Sequence, residues 1–312
     1  MLNQATLAVC YLTITDMKTK KSLQPGFAAV ITGASTGIGR SLAILLATDY
    51  QAKLVINART EDALLDTKRI IEERGGKAIA IVGDIAARDM PARLVAACVE
   101  EYGDIDLLVN NAGISIPGLL QNVKLEDWHR VMDVNFFAPL YAVYAALPYF
   151  LKKNQGTIVN VASVAGKVGL PGRVCYSTSK FACLGMSEGM AAELIHRGID
   201  VVTVCPGWVR SHFFKKNNLS STMDPTTIGE RKDFRGWMMR NLLSYSPQQA
   251  AEAIRDAMMA GDSQEIILTL PAIVTDRLMG ICPPVAFAVA RKVPKQYLDN
   301  TELGELEVPK SS

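Results

Sequence analysis

The stretch FAAVITGASTGIGR, residues 27–40, decides the fold that the sequence predicts. Its first half is apolar on successive residues, which is typical of a strand buried on both faces. Its second half is rich in glycine and leads into a helical pattern. Gly33, Gly37 and Gly39 stand where a tight turn, close approach to a pyrophosphate and close helix–strand packing leave no room for a side chain. A plain turn between a strand and a helix is the alternative.

The same alternation of apolar runs and amphipathic segments continues along the chain. The segment EDALLDTKRIIEERGG indicates a helix, because it ends in the glycines expected after one. Strands that alternate with helices form a parallel sheet covered on both faces. The sequence therefore predicts an α/β fold, a single-domain, doubly wound parallel sheet of the Rossmann type. The further strand candidates are KLVINA, AIAIVG, IDLLVN, TIVNVA and DVVTVC.

The 312-residue chain is longer than this sheet requires, so we expect one domain with additional ends. We assign residues 1–25 to an N-terminal extension, residues 26–270 to a dinucleotide-binding catalytic domain, and residues 271–312 to an apolar segment with a polar tail. Residues 211–245 are irregular and contain several aromatic residues and methionines, which indicates a flap over a substrate. The following stretch, SPQQAAEAIRDAMMAG, predicts a helix with Ser246 as its N-cap.

The composition excludes several classes of function. Hydrophobic residues make up 49% of the chain, which supports a sizeable core. Lys and Arg total 33 against 31 Asp and Glu, so no charge excess favours nucleic acid as a partner. The six cysteines show no C-x-x-C pattern and no nearby histidine pair, so we expect no metal site. We interpret most of the cysteines as buried thiols of an intracellular protein.

Two apolar stretches near the ends bear on localisation. Residues 1–15 are uncharged, but no basic region precedes their short apolar part, so a loosely packed extension is favoured over a signal peptide. Residues 278–290, LMGICPPVAFAVA, are uncharged but too short to span a bilayer, which needs about 20 residues. With Arg277, Arg291 and Lys292 at its flanks, this segment either lies in a membrane interface or packs on protein. We expect a cytoplasmic protein or one peripheral on an internal membrane.

A tyrosine and a lysine stand four residues apart in CYSTSK, residues 175–180. If this segment is helical, Tyr176 and Lys180 are neighbours on one face, with Cβ atoms about 5 to 6 Å apart. A phenol with a reference pKa of about 10 is a weak acid, and an adjacent ammonium stabilises its phenolate form. The pair is therefore a candidate for acid–base chemistry. A solvated helix face is the alternative.

Other candidate residues follow the predicted strands, at the carboxyl edge where such sheets bind ligands. Arg59 follows the second strand, where an NAD site usually carries a carboxylate, and its guanidinium suits a 2′-phosphate. This favours NADP; a solvent-facing arginine is the alternative.

Asp84 follows the third strand and either contacts an adenine or caps the next helix. The motif NNAG, residues 110–113, ends the fourth strand and Ser163 ends the fifth, so Ser163 and Tyr176 would face one crevice.

Together these motifs resemble the short-chain dehydrogenase/reductase family, in the subgroup with TG-x-x-x-G-x-G and Y-x-x-x-K, over residues 26–270. The resemblance implies that Asn135 in VMDVNFF, Ser163, Tyr176 and Lys180 are catalytic. It implies that NADP(H) is bound by Gly33, Ser35, Gly37, Ile38, Gly39, Arg59, Asp84, Asn111, Tyr176, Lys180, Pro206, Gly207 and Ser211. Ser211 replaces the usual threonine but keeps a hydroxyl. Thr36 replaces a basic residue found in many NADP-binding members, which leaves Arg59 as the main argument for NADP.

The resemblance also implies an activity, the reversible reduction of a ketone or aldehyde to an alcohol. Ser163 would bind the substrate oxygen, Tyr176 would donate the proton, and Lys180 would hold the cofactor ribose. Asn135 would support a water path that returns the proton. The expected substrate is a small carbonyl or alcohol, apolar or lipid-like if the flap residues line its site. A homodimer or homotetramer is the assembly that the resemblance implies.

Two other functions fit parts of the pattern. A dinucleotide-binding regulatory protein without turnover would need the glycine motif but not the four catalytic positions. A sugar epimerase or dehydratase on the same fold is disfavoured by the three-residue gap between Gly33 and Gly37 and by the lack of a large substrate domain after residue 210.

Overall fold

The structure, a computed structural model, describes residues 23–211, 213, 230 and 233–290. Most of the expected N-terminal extension, much of the expected flap and the polar tail therefore lie outside the described residues. Leu23 is buried in the main core, so packing against the domain begins slightly before residue 26.

A seven-stranded parallel sheet forms the centre of the described part of the chain. Its strands are β1 Ala28–Thr32, β2 Lys53–Ala58, β3 Lys77–Val82, β4 Leu107–Asn110, β5 Gly156–Val161, β6 Ile199–Pro206 and β9 Gln264–Leu268. Their order is β3-β2-β1-β4-β5-β6-β9. Strand β1 lies inside the sheet, β2 and β3 extend the sheet on one side of it, and the later strands extend it on the other side. This confirms the doubly wound prediction. A separate short parallel pair consists of β7 Trp208–Val209 and β8 Ser244–Tyr245.

Helices cover both faces of the sheet, as predicted. They are α1 Gly37–Tyr50, α2 Glu61–Glu73, α3 Met90–Tyr102, α4 Leu125–Met132, α5 Ala138–Lys153, α6 Val174–Leu194, α7 Phe234–Met238, α8 Pro247–Met259, α9 Leu270–Ile281 and α10 Pro283–Ala290. On one face, α1, α2 and α8 contribute Leu42, Leu64 and Ile254 to a core with the strands. On the other face, α3 and α5 contribute Leu94 and Phe150 to a second core.

The edge strand β9 is the one strand of the large sheet that the sequence did not predict. It begins with Gln264 and Glu265, and only Leu268 is fully buried. Its apolar part, residues 266–268, is only three residues long, so it lacks the longer continuous apolar run by which the other strands were recognised. It pairs with β6, opposite Thr203 and Cys205 among others.

Helix α4 continues through a π turn, Asp133–Phe137, into α5. Among the described residues, this run of Leu125–Lys153 is the one helix that could cross a membrane by length and composition. Its inner face is already occupied, because Val134, Ala138 and Phe150 are buried in the second core. It is a core helix of the domain.

The prediction for the helix after residue 245 is confirmed in detail. The Ser246 hydroxyl accepts a hydrogen bond from the Gln249 N–H at 3.1 Å, and the Gln249 side chain accepts one from the Ser246 N–H at 2.8 Å. This reciprocal capping box starts α8. The apolar C-terminal segment forms α9 and α10, which are separated at Cys282 just before Pro283, because a proline cannot continue a helix from the preceding turn.

Candidate active site

The first element of the site is the turn between β1 and α1. Gly33 and Gly37 have φ angles of 69° and 59°, which favour glycine. A Cβ atom on Gly33 would lie 2.8 Å from Asn111 Nδ2 and 2.9 Å from Ala112 Cα. The first turn of α1 contains no acidic residue, and Thr36 makes no side-chain cap. The turn therefore presents backbone N–H groups and the positive end of the helix dipole, which suits a phosphate group.

Asn111 braces this turn from the neighbouring strand. Its Nδ2 atom donates to the carbonyls of Thr32 at 2.9 Å and Gly33 at 3.2 Å. In return, the Thr32 hydroxyl accepts hydrogen bonds from the N–H groups of Asn111 and Ala112, each at 3.0 Å. The sequence placed Asn111 among the cofactor-binding residues. In the structure its side chain is bonded to the backbone of the glycine turn.

Two further predicted cofactor residues lie beside the glycine turn. Ser211 follows β7, and a Cβ atom on Gly37 would be 3.5 Å from Ser211 Cβ, so the turn and Ser211 face each other closely. Ser35 is buried in the turn. Ile38 is partly buried and packs against the main core.

The motif PG, residues 206–207, is held by the C-terminal end of the sheet. The Gly207 N–H donates to the Leu268 carbonyl at 3.0 Å. A Cβ atom on Gly207 would lie 2.9 Å from Ala272 Cβ and would clash with Thr269 Oγ1. Glycine is therefore required here by the close approach of α9.

Arg59 and Asp84 lie at the carboxyl ends of β2 and β3, where the sequence placed them. Arg59 is exposed. Asp84 Oδ2 forms an ion pair with Arg130 Nη2 at 2.6 Å, and Asp84 Oδ1 accepts from the Ala86 N–H at 3.1 Å. Burial raises the pKa of the Asp84 carboxyl, but these two contacts outweigh burial and, with the charge of Arg59, hold the pKa below its usual value.

Tyr176 and Lys180 lie on α6, which confirms the helix expected for this segment. Lys180 is 4% exposed, and its Nζ atom donates to the Val161 carbonyl at the end of β5 at 2.8 Å. The same Nζ atom lies 5.9 Å from the centroid of the Tyr176 ring. Phe213 covers the ring from the flap side, with 6.1 Å between ring centroids. A buried ammonium therefore sits beside a half-buried phenol.

Asn135 lies in the π turn between α4 and α5 and is 1% exposed. Its Oδ1 accepts from the Ile114 N–H, and its Nδ2 donates to the Ile114 carbonyl and to Ser179 Oγ, each at 2.9 Å. Ser179 Oγ in turn donates to the Tyr176 carbonyl at 2.7 Å. The Asn135 side chain thus connects the loop after β4 to the helix that carries Tyr176.

Ser163 stands two residues beyond β5, at the start of a short 3₁₀ turn, Val164–Gly166. Its side-chain oxygen accepts a hydrogen bond from the Ala165 N–H at 3.1 Å. Because Lys180 is bonded to Val161, the serine and the tyrosine–lysine pair meet at the end of the same strand. A Cβ atom on Gly113 would lie 3.4 Å from Asn135 Oδ1 and 3.6 Å from Lys180 Nζ. The NNAG loop, Asn135 and Lys180 therefore lie close together.

Three supporting residues were missed from the sequence. Thr32 and Ser179 provide hydroxyls that orient Asn111 and Asn135. Arg130 pairs with Asp84 across 46 residues of sequence, and no local pattern marks such a partner. Ser179 had a local signal, because it stands three residues after Tyr176 on the same helix.

The fold and this constellation define a class of proteins. A family model described as short chain dehydrogenase matches residues 28–221, so the chain belongs to the short-chain dehydrogenase family. The resemblance noted from the sequence motifs is thereby confirmed.

Curated relatives support the assignment. The 3-oxoacyl-[acyl-carrier-protein] reductase of Synechocystis is 36% identical over 190 residues, covering 61% of this chain and 77% of the relative. An uncharacterized oxidoreductase of Thermotoga maritima is 39% identical over 186 residues, covering 60% and 73%. SadH of Mycobacterium tuberculosis is 30% identical over 260 residues, covering 82% and 91%.

Solved structures agree on the fold. A metagenomic short-chain oxidoreductase in complex with NADP superimposes with a TM-score of 0.64 at 27% identity, covering 78% of this chain and 97% of that one. An alcohol dehydrogenase of the archaeon Thermococcus sibiricus, complexed with 5-hydroxy-NADP, gives a TM-score of 0.65 at 22% identity, covering 78% and 96%.

Removing the Asn135 side chain tests whether it holds the loop after β4 to α6. Asn135→Ala deletes three buried hydrogen bonds, so we expect the free energy of unfolding in urea to fall by about 2 to 4 kcal/mol. Asn241, an exposed asparagine with one hydrogen bond to Trp237, is the matched control. Asn241→Ala should change stability by less than about 0.5 kcal/mol. Equal losses of unfolding free energy in both variants would show that Asn135 does not hold the loop after β4 to α6.

Proposed function

We propose that the protein is an NADP(H)-dependent carbonyl reductase that acts reversibly on an apolar or lipid-like substrate. The observation that carries the proposal is the Lys180 ammonium, which is held by Val161 and lies 5.9 Å from the Tyr176 ring centroid. A positive charge beside a phenol stabilises the phenolate that remains after proton donation. The name of the Synechocystis relative, which describes reduction of a 3-oxoacyl group, supports the reaction type.

The chain's own residues fit a dinucleotide. The glycine turn would hold the pyrophosphate, Ser211 beside Gly37 would offer its hydroxyl to the cofactor, and Asp84, with Arg59 beside it, would contact the adenine. Arg59, with no carboxylate at the end of β2, favours a cofactor with a 2′-phosphate. The NADP complex of the metagenomic relative supports the same choice. When bound, NADPH would supply the hydride that the side chains lack.

Each catalytic side chain then has a separate task. Tyr176 donates a proton to the developing alkoxide, and Ser163 donates a hydrogen bond to the same oxygen. Lys180 stabilises the phenolate and reaches the ribose. Asn135 acts by its backbone position, because its side chain is occupied by Ile114 and Ser179. The π turn that it anchors would keep a water path to Lys180 open.

Exposed aromatic side chains support an apolar substrate. The Phe213 ring lies 6.1 Å from the Tyr176 ring, centroid to centroid. Separately, Phe234 and Trp237 on α7 stack with 5.9 Å between ring centroids. Phe234 is 72% exposed, so this aromatic pair is not part of the core. A regulatory protein without turnover remains the second candidate function, and the buried, hydrogen-bonded Lys180 favours the enzyme.

We also propose two partners. Exposed aromatic residues of α5 and α6, namely Tyr141, Tyr144 and Phe181, support self-association as a homodimer or homotetramer. The exposed apolar residues Val274, Ile281 and Val285 of α9 and α10 support peripheral contact with an internal membrane. An intracellular location is supported by the described cysteines, which are all free thiols, four of them buried.

Replacing the proton donor tests the reaction. Tyr176→Phe keeps the ring but removes the hydroxyl, so we expect turnover to fall by about 100-fold or more while the Kd for NADPH stays within about twofold. Tyr50, a tyrosine that packs on Phe27 at the end of α1, is the control, and Tyr50→Phe should retain activity. Activity of Tyr176→Phe near that of the wild type would end the assignment.

Arg59→Asp tests cofactor choice. A carboxylate repels a 2′-phosphate and accepts the ribose hydroxyls, so the Kd for NADPH should rise at least about tenfold relative to that for NADH, measured by fluorescence titration. Arg74→Asp, at the exposed end of α2, should leave the ratio unchanged. An unaltered ratio in Arg59→Asp would show that this side chain does not read the phosphate.

Sedimentation with anionic liposomes tests membrane contact. Deletion of residues 278–312 should lower the fraction of protein bound to the vesicles. The single change Ile281→Asp should do the same, because Ile281 is 82% exposed among the apolar residues of α9 and α10. Leu65→Asp, at a 45% exposed leucine on α2, should not. If the intact protein does not sediment with the vesicles, the apolar face contacts protein instead.

A further inference from the structure

A lysine close to Ser163 has no role in the proposed chemistry. Lys167 ends the 3₁₀ turn Val164–Gly166 that Ser163 begins. Within this turn, the Gly166 N–H donates to the Ser163 carbonyl and the Lys167 N–H to the Val164 carbonyl, both at 2.9 Å. The backbone from Ser163 to Lys167 is therefore one hydrogen-bonded turn. A displacement of Lys167 would be transmitted through this turn to Ser163.

The Lys167 ammonium joins this unit to two other elements. Its Nζ atom lies 2.8 Å from Glu265 Oε1 on β9 and 3.0 Å from Asp276 Oδ1 on α9. The side chains of Lys167, Glu265 and Asp276 are only 16%, 27% and 19% exposed. Burial lowers the pKa of Lys167, but hydrogen bonds to both carboxylates outweigh it and raise the pKa above its usual value. The lysine is charged and paired.

The opposite side of the turn is closed by α6. A Cβ atom on Gly166 would lie 2.6 Å from the carbonyl oxygen of Lys180 and 3.3 Å from the Phe181 N atom. The turn thus lies between the helix that carries Tyr176 and Lys180 and the ion pairs to β9 and α9. A displacement at Lys167 would move Ser163 relative to Tyr176.

We propose that Lys167 is a positioning residue, which through Glu265 and Asp276 fixes Ser163 and makes the helix α9 part of the active-site framework. The inference rests on the proposed role of Ser163 in binding the substrate oxygen. Loss of one member leaves partly buried charges uncompensated, so the turn must shift to hydrate them. A misplacement of about 1 Å at a catalytic group can lower the rate by about 100-fold.

A second lysine of similar environment provides the matched control. Lys153 Nζ pairs with Asp104 at 2.9 Å and Asp106 at 2.6 Å, and its side chain is 22% exposed. Both aspartates precede β4, at the amino edge of the sheet, away from the candidate site. Lys153→Met therefore removes two comparable ion pairs without touching the turn of Ser163.

The experiment compares Lys167→Met, Lys167→Arg, Asp276→Asn and Lys153→Met with the wild-type protein. Hydrogen–deuterium exchange of the peptide that covers residues 163–168 measures the turn directly, whether or not a substrate is known. Steady-state kcat with an accepted carbonyl and the Kd for NADPH measure the consequence. Thermal unfolding reports the stability that each variant has lost.

We expect Lys167→Met and Asp276→Asn to speed exchange in this peptide and to lower kcat by about tenfold or more, with the Kd for NADPH unchanged. Lys167→Arg should restore most of the rate. Lys153→Met should lose stability but keep kcat and the exchange of residues 163–168. If Lys167→Met does not fold, Asp276→Asn, which retains Glu265, decides the question.

The opposite results would overturn the proposal. Unchanged exchange in Lys167→Met and Asp276→Asn would show that the ion pairs do not hold the turn. Faster exchange with unchanged kcat would show that the turn does not position Ser163 for catalysis. Equal kcat losses in Lys153→Met would reduce Lys167 to a contributor to general stability. If the wild-type protein turns over no carbonyl, the proposed function fails, and exchange alone then decides whether the ion pairs hold the turn.

Discussion

The hydrogen bond from the buried Lys180 ammonium to the Val161 carbonyl is the interaction on which the candidate site depends. A buried charge must be paired or hydrogen-bonded, so the lysine cannot move away from the end of β5 without a large loss of free energy. This contact ties α6 to the end of β5. It holds the segment that carries Tyr176 near the serine two residues beyond the same strand.

The loop after β4 transmits this order to the other half of the site. At one end, Asn111 bonds to the backbone of the glycine turn. Three residues further along, the backbone of Ile114 is held on both its N–H and its carbonyl by Asn135. The glycine turn and the helix that carries Tyr176 and Lys180 are therefore both bonded to this loop, through the side chains of Asn111 and Asn135.

Much of this arrangement could be read from the sequence, for definite physical reasons. Interior strands are apolar on successive residues, so they could be recognised. The carboxyl ends of all strands in a parallel sheet lie at one edge, where the ligand-facing loops begin. Ser163, Arg59 and Asp84 follow strands and could therefore be placed at that edge. Strand β9 was missed because its apolar run is only three residues long. The partners of Asn111, Asp84 and Lys167 come from distant segments, and tertiary packing alone brings them together.

In the proposed reaction, a hydride from NADPH reaches a carbonyl carbon while Tyr176 supplies the proton. The most direct measurement uses NADPH carrying deuterium at the transferable position, with ketones that range from small to long-chain, and detects the products by mass spectrometry. The account predicts an alcohol with one deuterium at the former carbonyl carbon, and formation from an apolar ketone. Tight NADPH binding with no deuterium in any product would contradict it and would favour a regulatory protein that binds a dinucleotide.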